Sequence, residues 1–163
     1  MIDLRANEII ITDGLQKELG CPVIRANQTA PIPSYPYVSY TLLTPFDSNN
    51  GTWGVYDDGV DRIPVTQMWS FTVQSDDMTE SMTLAIKARD WFQHVGKTYL
   101  NDNHLIVQSV EDITSRDNLL TVGYEYRNGF DVQLWLLDEV ESTIESIGTI
   151  DEVVIDDETI TKQ

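Results

Sequence analysis

Residues able to carry covalent or acid–base catalysis are few in this chain. Cys21 is the only cysteine, and His94 and His104 are the only histidines. A nucleophilic thiol needs a nearby base and a lowered pKa, but neither histidine lies near Cys21 in the sequence. The spacing of the two histidines matches no known pattern of zinc ligands. We therefore expect Cys21 to be an inert thiol, and we predict no catalytic residue and no bound metal.

Acidic clusters are the other residues with possible chemistry, because carboxylate oxygens bind calcium. One cluster spans residues 57–61 and another spans residues 156–158. Neither has the spaced ligands and the closing glutamate of an EF-hand loop. The sequence also lacks phosphate-binding glycine motifs and the GxSxG motif of hydrolases. It thus predicts solvated loop charge, no cofactor and no enzymatic activity.

Charge and hydropathy limit the partners. The 163 residues include 27 acidic and 10 basic side chains, for a net charge of −17, and the basic residues are scattered. Such a surface repels DNA and anionic lipid, since phosphate binding depends on clustered lysine or arginine. No apolar run approaches the roughly 20 residues of a membrane span, and residues 1–5 do not resemble a signal peptide. We expect a protein made in the cytoplasm, without specific nucleic-acid binding and without a membrane segment.

Two amphipathic segments predict the helices that would position these residues. Residues 3–19 place Ile11, Leu15 and Leu19 on one helical face, and Gly20 is suited to end the helix. Residues 78–95 form the second predicted helix, begun by an acidic capping box. Its predicted sheet-packing face consists of Met78, Met82, Ala85, Ile86 and Phe92.

Alternating apolar and polar residues predict the strands. They span residues 23–27, 37–46, 62–74, 104–111, 119–126 and 130–140. Asn128 and Gly129, between the last two, are typical of either a hairpin turn or a bulge in one long strand. Two helices packed on one small, mostly antiparallel sheet make an α+β fold.

The composition changes at residue 138. We predict a single α+β domain over residues 1–137, followed by a strand-like segment, residues 138–163, named the arm. The arm holds nine acids and one base. Its apolar residues include Ile144, Ile147, Ile150, Val153 and Ile155. Because the arm has no evident strand partner in its own sheet, we expect it to dock on a neighbouring subunit. A hairpin folded back on its own domain is the alternative.

Two stretches are similar to parts of a known family. The first reads Pro-Val-Ile-Arg-Ala-Asn-Gln-Thr-Ala-Pro-Ile-Pro at residues 22–33, followed by Tyr-Pro-Tyr-Val at residues 35–38. The second reads Tyr-Glu-Tyr-Arg-Asn-Gly-Phe-Asp-Val at residues 124–132. Together they resemble the phage neck terminator, or tail-completion, family over about residues 3–140. The aromatic loop at residues 47–61 and the acidic end depart from the commoner pattern of that family.

The resemblance implies a structural virion protein of a long-tailed phage, present in the host cytoplasm during assembly. It implies a hexameric ring that ends the tail tube, with genome DNA passing through. The implied partners are further copies of the chain, the tail-tube protein, a head–tail connector or adaptor protein, and the tail sheath. The net charge of −17 suits such a channel, because like charge keeps DNA from adhering to its wall.

Exposed aromatic residues mark the surface that would meet a partner. Trp53 lies in a glycine-rich loop, and Trp135 lies on the strand face opposite the apolar row of the last strand. With these two, Tyr56, Arg127 and the five apolar arm residues named above are the predicted subunit-interface residues. Sugar-binding sites use tryptophan in the same way. A carbohydrate-binding or other virion-surface adhesion module using Trp53 and Trp135 is therefore the alternative function.

Overall fold

The computed structural model describes residues 1–48, 54–57, 59–120 and 123–141. The helices are α1 (Leu4–Leu19), α2 (Met78–Asp90) and α3 (Lys97–Asp102), with a π-helical turn at Trp91–Val95 between α2 and α3. The strands are β1 (Val23–Arg25), β2 (Tyr37–Asp47), β3 (Val55–Asp57), β4 (Val60–Ser75), β5 (Ile106–Val110), β6 (Thr114–Ser115), β7 (Asn118–Leu120) and β8 (Gly123–Glu141). The predicted α+β class is confirmed. Within the described part of the chain, no helix has the length and hydropathy needed to cross a bilayer.

Two long antiparallel strands form the centre of the sheet. β4 and β8 pair without a register shift, from Val60 opposite Glu141 to Ser75 opposite Tyr126. The main strands lie in the order β1-β2-β4-β8-β5. β1 and β2 run parallel, and the other pairs described here are antiparallel. β3 pairs with the start of β4, and β6 and β7 pair with the first half of β8.

α1 begins and ends where the sequence predicts. The side chain of Asp3 accepts a hydrogen bond from the backbone N–H of Ala6 at 3.0 Å. Gly20 ends the helix in the left-handed region, with a φ of 72° that glycine adopts without strain. The predicted apolar face of α1 is buried, and Ile11 and Leu15 are completely enclosed.

α2 lies on the sheet through small residues. Its buried positions are Ser81, Ala85 and Ala88. These short side chains bring the helix close enough for the Ser81 hydroxyl to donate a hydrogen bond to the backbone carbonyl of Val73 at 3.2 Å. The π-helical turn then places Phe92 over the centre of the sheet, where it is fully buried.

The close approach of α2 exposes three large residues that were predicted to face the sheet. Met78, Met82 and Ile86, named the α2 stripe, are 53%, 44% and 52% exposed. Their predicted packing on the sheet is wrong, whereas the burial of Ala85 and Phe92 is confirmed. The helix is rotated about its own axis so that the small residues contact the sheet. The α2 stripe therefore lies beside this contact and is exposed.

Asn128 and Gly129 lie inside one uninterrupted strand, so the hairpin alternative is wrong, and the single long strand is confirmed without the bulge that was predicted in it. The pairing of β8 with β4 shows no bulge at these residues. The side-chain amide of Asn128 donates a hydrogen bond to the Ser81 hydroxyl at 3.0 Å. A Cβ on Gly129 would lie 2.7 Å from the backbone carbonyl oxygen of Phe71. Asn128 therefore anchors α2, and Gly129 permits close strand packing rather than a turn.

The first four residues of the arm belong to the sheet, because β8 continues to Glu141. Asp138 is buried, and its carboxylate lies 3.4 Å from the N-terminal ammonium group of Met1. The rest of the arm lies outside the described residues, and with it the predicted interface residues Ile144, Ile147, Ile150, Val153 and Ile155.

Candidate functional site

Alternate residues of β4 and β8 point to two faces of the sheet that differ in what covers them. Trp69 and Phe71 of β4 point to the face under the helices, named the helix face. The buried apolar residues of α1, α2 and α3 all belong to the core on that face. Ser70 of β4 and its β8 partner Asp131 point to the other face, named the open face. The described helices therefore leave the open face available to a partner.

A polar cluster occupies the middle of the open face. Asp131 accepts hydrogen bonds from the Ser70 hydroxyl at 2.6 Å and from the guanidinium of Arg116 at 3.0 Å. Arg116 also donates to the hydroxyls of Ser70 at 2.8 Å and of Thr72 at 3.1 Å. Arg116 follows β6, which pairs with β8 at Gly129. The cluster thus joins β4, β8 and the segment after β6.

A second polar cluster brings together the two stretches that carry the family resemblance. The hydroxyl of Tyr35, from the first stretch, donates a hydrogen bond to Glu125 of the second stretch at 2.8 Å. The rings of Tyr35 and Tyr37 stack with centroids 5.7 Å apart. Arg127 forms an ion pair with the buried Glu125. Burial, together with the hydrogen bond to Glu125, raises the pKa of Tyr35 to about 12.

A third cluster lies where the first stretch meets α1. Glu8 of α1 is 4% exposed and accepts hydrogen bonds from Arg25 at 2.5 Å and from Arg5 at 3.0 Å. The hydroxyl of Tyr40 also donates to Glu8. Burial alone would raise the pKa of Glu8, but the hydrogen bonds from Tyr40, Arg25 and Arg5 lower it below the usual value. Glu8 is therefore a charged link between α1, β1 and β2.

These clusters hold elements together rather than activate a reactive group. The carboxylates of Glu8 and Glu125 are both saturated by arginine and tyrosine donors. Burial raises the pKa of the Cys21 thiol, and the neighbouring Glu80 raises it further, which disfavours the reactive thiolate. Within residues 1–48, 54–57, 59–120 and 123–141, no group of three His, Cys, Asp or Glu side chains is placed to hold a metal ion.

The predicted interface residues are placed in different ways. Trp135 lies on the open face, the face that its position in the strand predicted, but it is half-buried rather than exposed. Arg127 lies on the same face, with its side chain 34% exposed and paired to Glu125. Tyr56 belongs to β3, and Trp53 lies outside the described residues, as do the five predicted residues of the arm.

Sequence reasoning missed Glu8 and Arg116. Glu8 falls on the same helical stripe as Ile11, Leu15 and Leu19, and an acid on an apolar stripe is a signal of a buried ion pair. Arg116 carries no such signal, because its partners lie 15 or more residues away in sequence.

A family model described as phage neck terminator protein matches residues 10–161 of the chain. The chain belongs to the phage neck terminator family. A search of curated proteins found no significant match. This neck terminator protein is a structural component of a bacteriophage and functions in completing the tail at the neck of the virion. Its family is not a known enzyme class. Family membership favours the structural role over the carbohydrate-binding alternative.

Proposed function

We propose that six copies of this neck terminator protein form a ring that ends the tail tube and joins the tail to the head. The family match over residues 10–161 carries the proposal. The ring contacts the tail-tube protein on one side and a head–tail connector or adaptor protein on the other, with the tail sheath as a further neighbour in a contractile tail.

A closed ring of this kind needs two different surfaces on each subunit, because each copy meets its two neighbours head to tail. The α2 stripe offers one apolar surface beside the helix face. The open face offers another, where half-buried Trp135 is accompanied by Ile106 and Leu137, which are 41% and 44% exposed. The two surfaces are different patches of the subunit, as a head-to-tail contact requires.

Charge pairing on the open face supports its role as a subunit contact in a chain of net charge −17. Basic residues on this face lie beside acidic ones, in the pairs Arg62 with Glu139, Arg116 with Asp131, and Arg127 with Glu125. Locally balanced charge reduces the like-charge repulsion that two copies would otherwise experience. The unbalanced acids are then left for surfaces that face solvent or the DNA channel, where repulsion keeps DNA mobile.

The arm is the third part of the proposal, as a segment that docks on the neighbouring copy. Among the described residues of β8, the core on the helix face extends to Leu136, and α1, α2 and β4 pack on it. A chain ending at Glu141 is therefore expected to keep the melting temperature of the full chain while losing ring formation. Circular dichroism and light scattering measure the two properties. Unfolding of the shortened monomer would show instead that the arm belongs to its own domain.

Light scattering after size exclusion, alone and with the tail-tube protein present, tests the ring itself. Ring proteins often assemble only on a template, so the sample with tail-tube protein is the decisive one. We expect six-membered rings and capped tubes in negative-stain images. A strict monomer in both samples, with uncapped tubes, would contradict the proposed function.

A further inference from the structure

A groove of about 820 Å³ lies between α1 and the start of β5. Its apolar walls come from Ile2 and Ile10 on one side and from Ile106, Trp135 and Leu137 on the other. Ile106 and Leu137 are 41% and 44% exposed within it. The groove is also lined by polar residues, so it has apolar walls with a polar rim, and its volume falls in the range of clefts that bind ligands or peptide segments.

The groove borders an unpaired strand edge. The outer edge of β5, which begins at the groove, has no strand partner among the described residues. A segment of polypeptide lying in the groove could pair its backbone groups with this edge of β5.

The course of β8 indicates which segment is available. β8 passes the groove at Trp135, Leu137 and Glu139 and continues in the same direction to Glu141, opposite Val60. In the proposed ring, a continuation of the chain in this direction beyond Glu141 would point toward a neighbouring copy. Entry into the groove of the same copy would need a reversal of the chain.

The charge of the groove selects one part of the arm. The carboxylates of Asp3, Asp102 and Glu139 line it and outnumber the single ammonium group there, that of Met1, so a strongly acidic segment would be repelled. Residues 151–158 hold five acids, whereas residues 144–150, Ile-Glu-Ser-Ile-Gly-Thr-Ile, hold one. The three isoleucines of residues 144–150 match the apolar walls.

We propose that the groove binds residues 144–150 from an adjacent copy of this chain, and this rests on the proposed ring. The isoleucines pack between α1 and Trp135, and the backbone of the segment pairs with the outer edge of β5. The acidic residues beyond position 150 stay in solvent. Each copy gives its arm to one neighbour and receives an arm from the other, so every groove in a closed ring is filled.

Disulfide trapping between two variants tests the docking site. In a Cys21→Ser background, one variant carries Ile106→Cys in the groove, and partner variants carry Ile144→Cys, Ile147→Cys or Ile150→Cys. They are mixed with tail-tube protein and oxidised. Because a disulfide requires closely apposed Cα atoms, only a docked arm brings the two cysteines within reach. In the control, Ile32→Cys replaces Ile106→Cys. We expect a covalent dimer to form roughly a hundredfold faster with Ile106→Cys than with this control, because docking raises the effective concentration of the two thiols. Ile32 is 70% exposed in the connector before β2 and lies outside the groove.

The outcomes separate this proposal from the ring. Rings in negative-stain images without any cross-link above the Ile32→Cys control would overturn the groove as docking site and leave the ring standing. A single chain carrying both Ile106→Cys and Ile147→Cys that closes an internal disulfide as a monomer, with no mixed dimers, would show that the arm folds back on its own groove. Absence of both rings and cross-links would overturn both proposals.

Discussion

The helix face and the open face are made by alternate residues of the same two strands, yet they differ in burial and in polarity. On the helix face, Phe71 and Phe130 are at most 1% exposed and pack under Phe92. On the open face, the neighbouring residues Ser70 and Asp131 are polar and only half-buried. The period of two along a strand thus lets one pair of strands carry the core on one side and a polar surface on the other.

Two carboxylates, one beside the core and one in the middle of the open face, differ in burial. Glu8, beside the core, is 4% exposed and has donors from three side chains. Asp131, on the open face, keeps 30% of its side chain exposed and shares Arg116 with two hydroxyl groups. Water can replace the partners of Asp131 but not those of Glu8. Stability is therefore expected to depend steeply on the first group and weakly on the second.

The largest expected effect is in the aromatic core. Phe92→Ala removes a fully buried ring that lies 4.9 Å from Phe71, and we expect a loss of about 3–5 kcal/mol in the free energy of unfolding. The matched control is Ile86→Ala in the α2 stripe, 52% exposed, with an expected change within about 0.5 kcal/mol. Urea denaturation measures both. Equal losses would mean that the α2 stripe is part of the core.

The next effect concerns Glu8 and depends on pH. Its pKa is lowered in the folded protein below the 4.5 of an ordinary glutamate, so the charged form contributes stability that is fully present above about pH 4.5. This contribution is lost as the pH falls through the folded pKa. Glu8→Gln should lower the free energy of unfolding at pH 7 by about 1–3 kcal/mol. The difference from the unmodified protein should shrink below pH 4.5.

Glu139→Gln is the control for that measurement, since the Glu139 side chain is 57% exposed in its pair with Arg62. Its effect should be small at every pH above 5. A pH profile of Glu8→Gln parallel to that of the unmodified protein would show that Glu8 is not a charged link in the folded state.

The smallest effect is expected on the open face. Asp131→Asn weakens the pair with Arg116, whose side chain is 33% exposed, and should cost about 0.5–1 kcal/mol. Salt screens such a pair, so the loss should decrease between low and high ionic strength. Thermal melts at the two salt concentrations measure it. A salt-independent loss as large as that of Phe92→Ala would mean that the open face is a second core.

Local patterns were enough to predict much of the fold. The stripe of Ile11, Leu15 and Leu19, the end of α1 at Gly20 and the extent of β4 follow from residue periodicity and capping, which act over a few residues. The face of the sheet on which Trp135 lies follows from strand alternation in the same way, but its half-burial does not. The clusters of the candidate site are less predictable, because Tyr35 and Glu125 lie 90 residues apart in sequence.

The sequence by itself determined the fold class, the family and the surplus of acids, since each depends on composition or on short motifs. Only the tertiary structure decided what Asn128, Gly129 and the α2 stripe do. An Asn-Gly pair is typical of a hairpin turn. Here, however, β4 pairs with β8 on both sides of the two residues, and Asn128 donates a hydrogen bond to α2. The α2 stripe has the spacing of a buried face. The small residues Ser81, Ala85 and Ala88, on the adjacent face of the helix, let α2 approach the sheet more closely, so that face is buried instead. The face of a helix that is buried depends on how the helix packs against the rest of the fold. The periodicity of one segment cannot show which face that is.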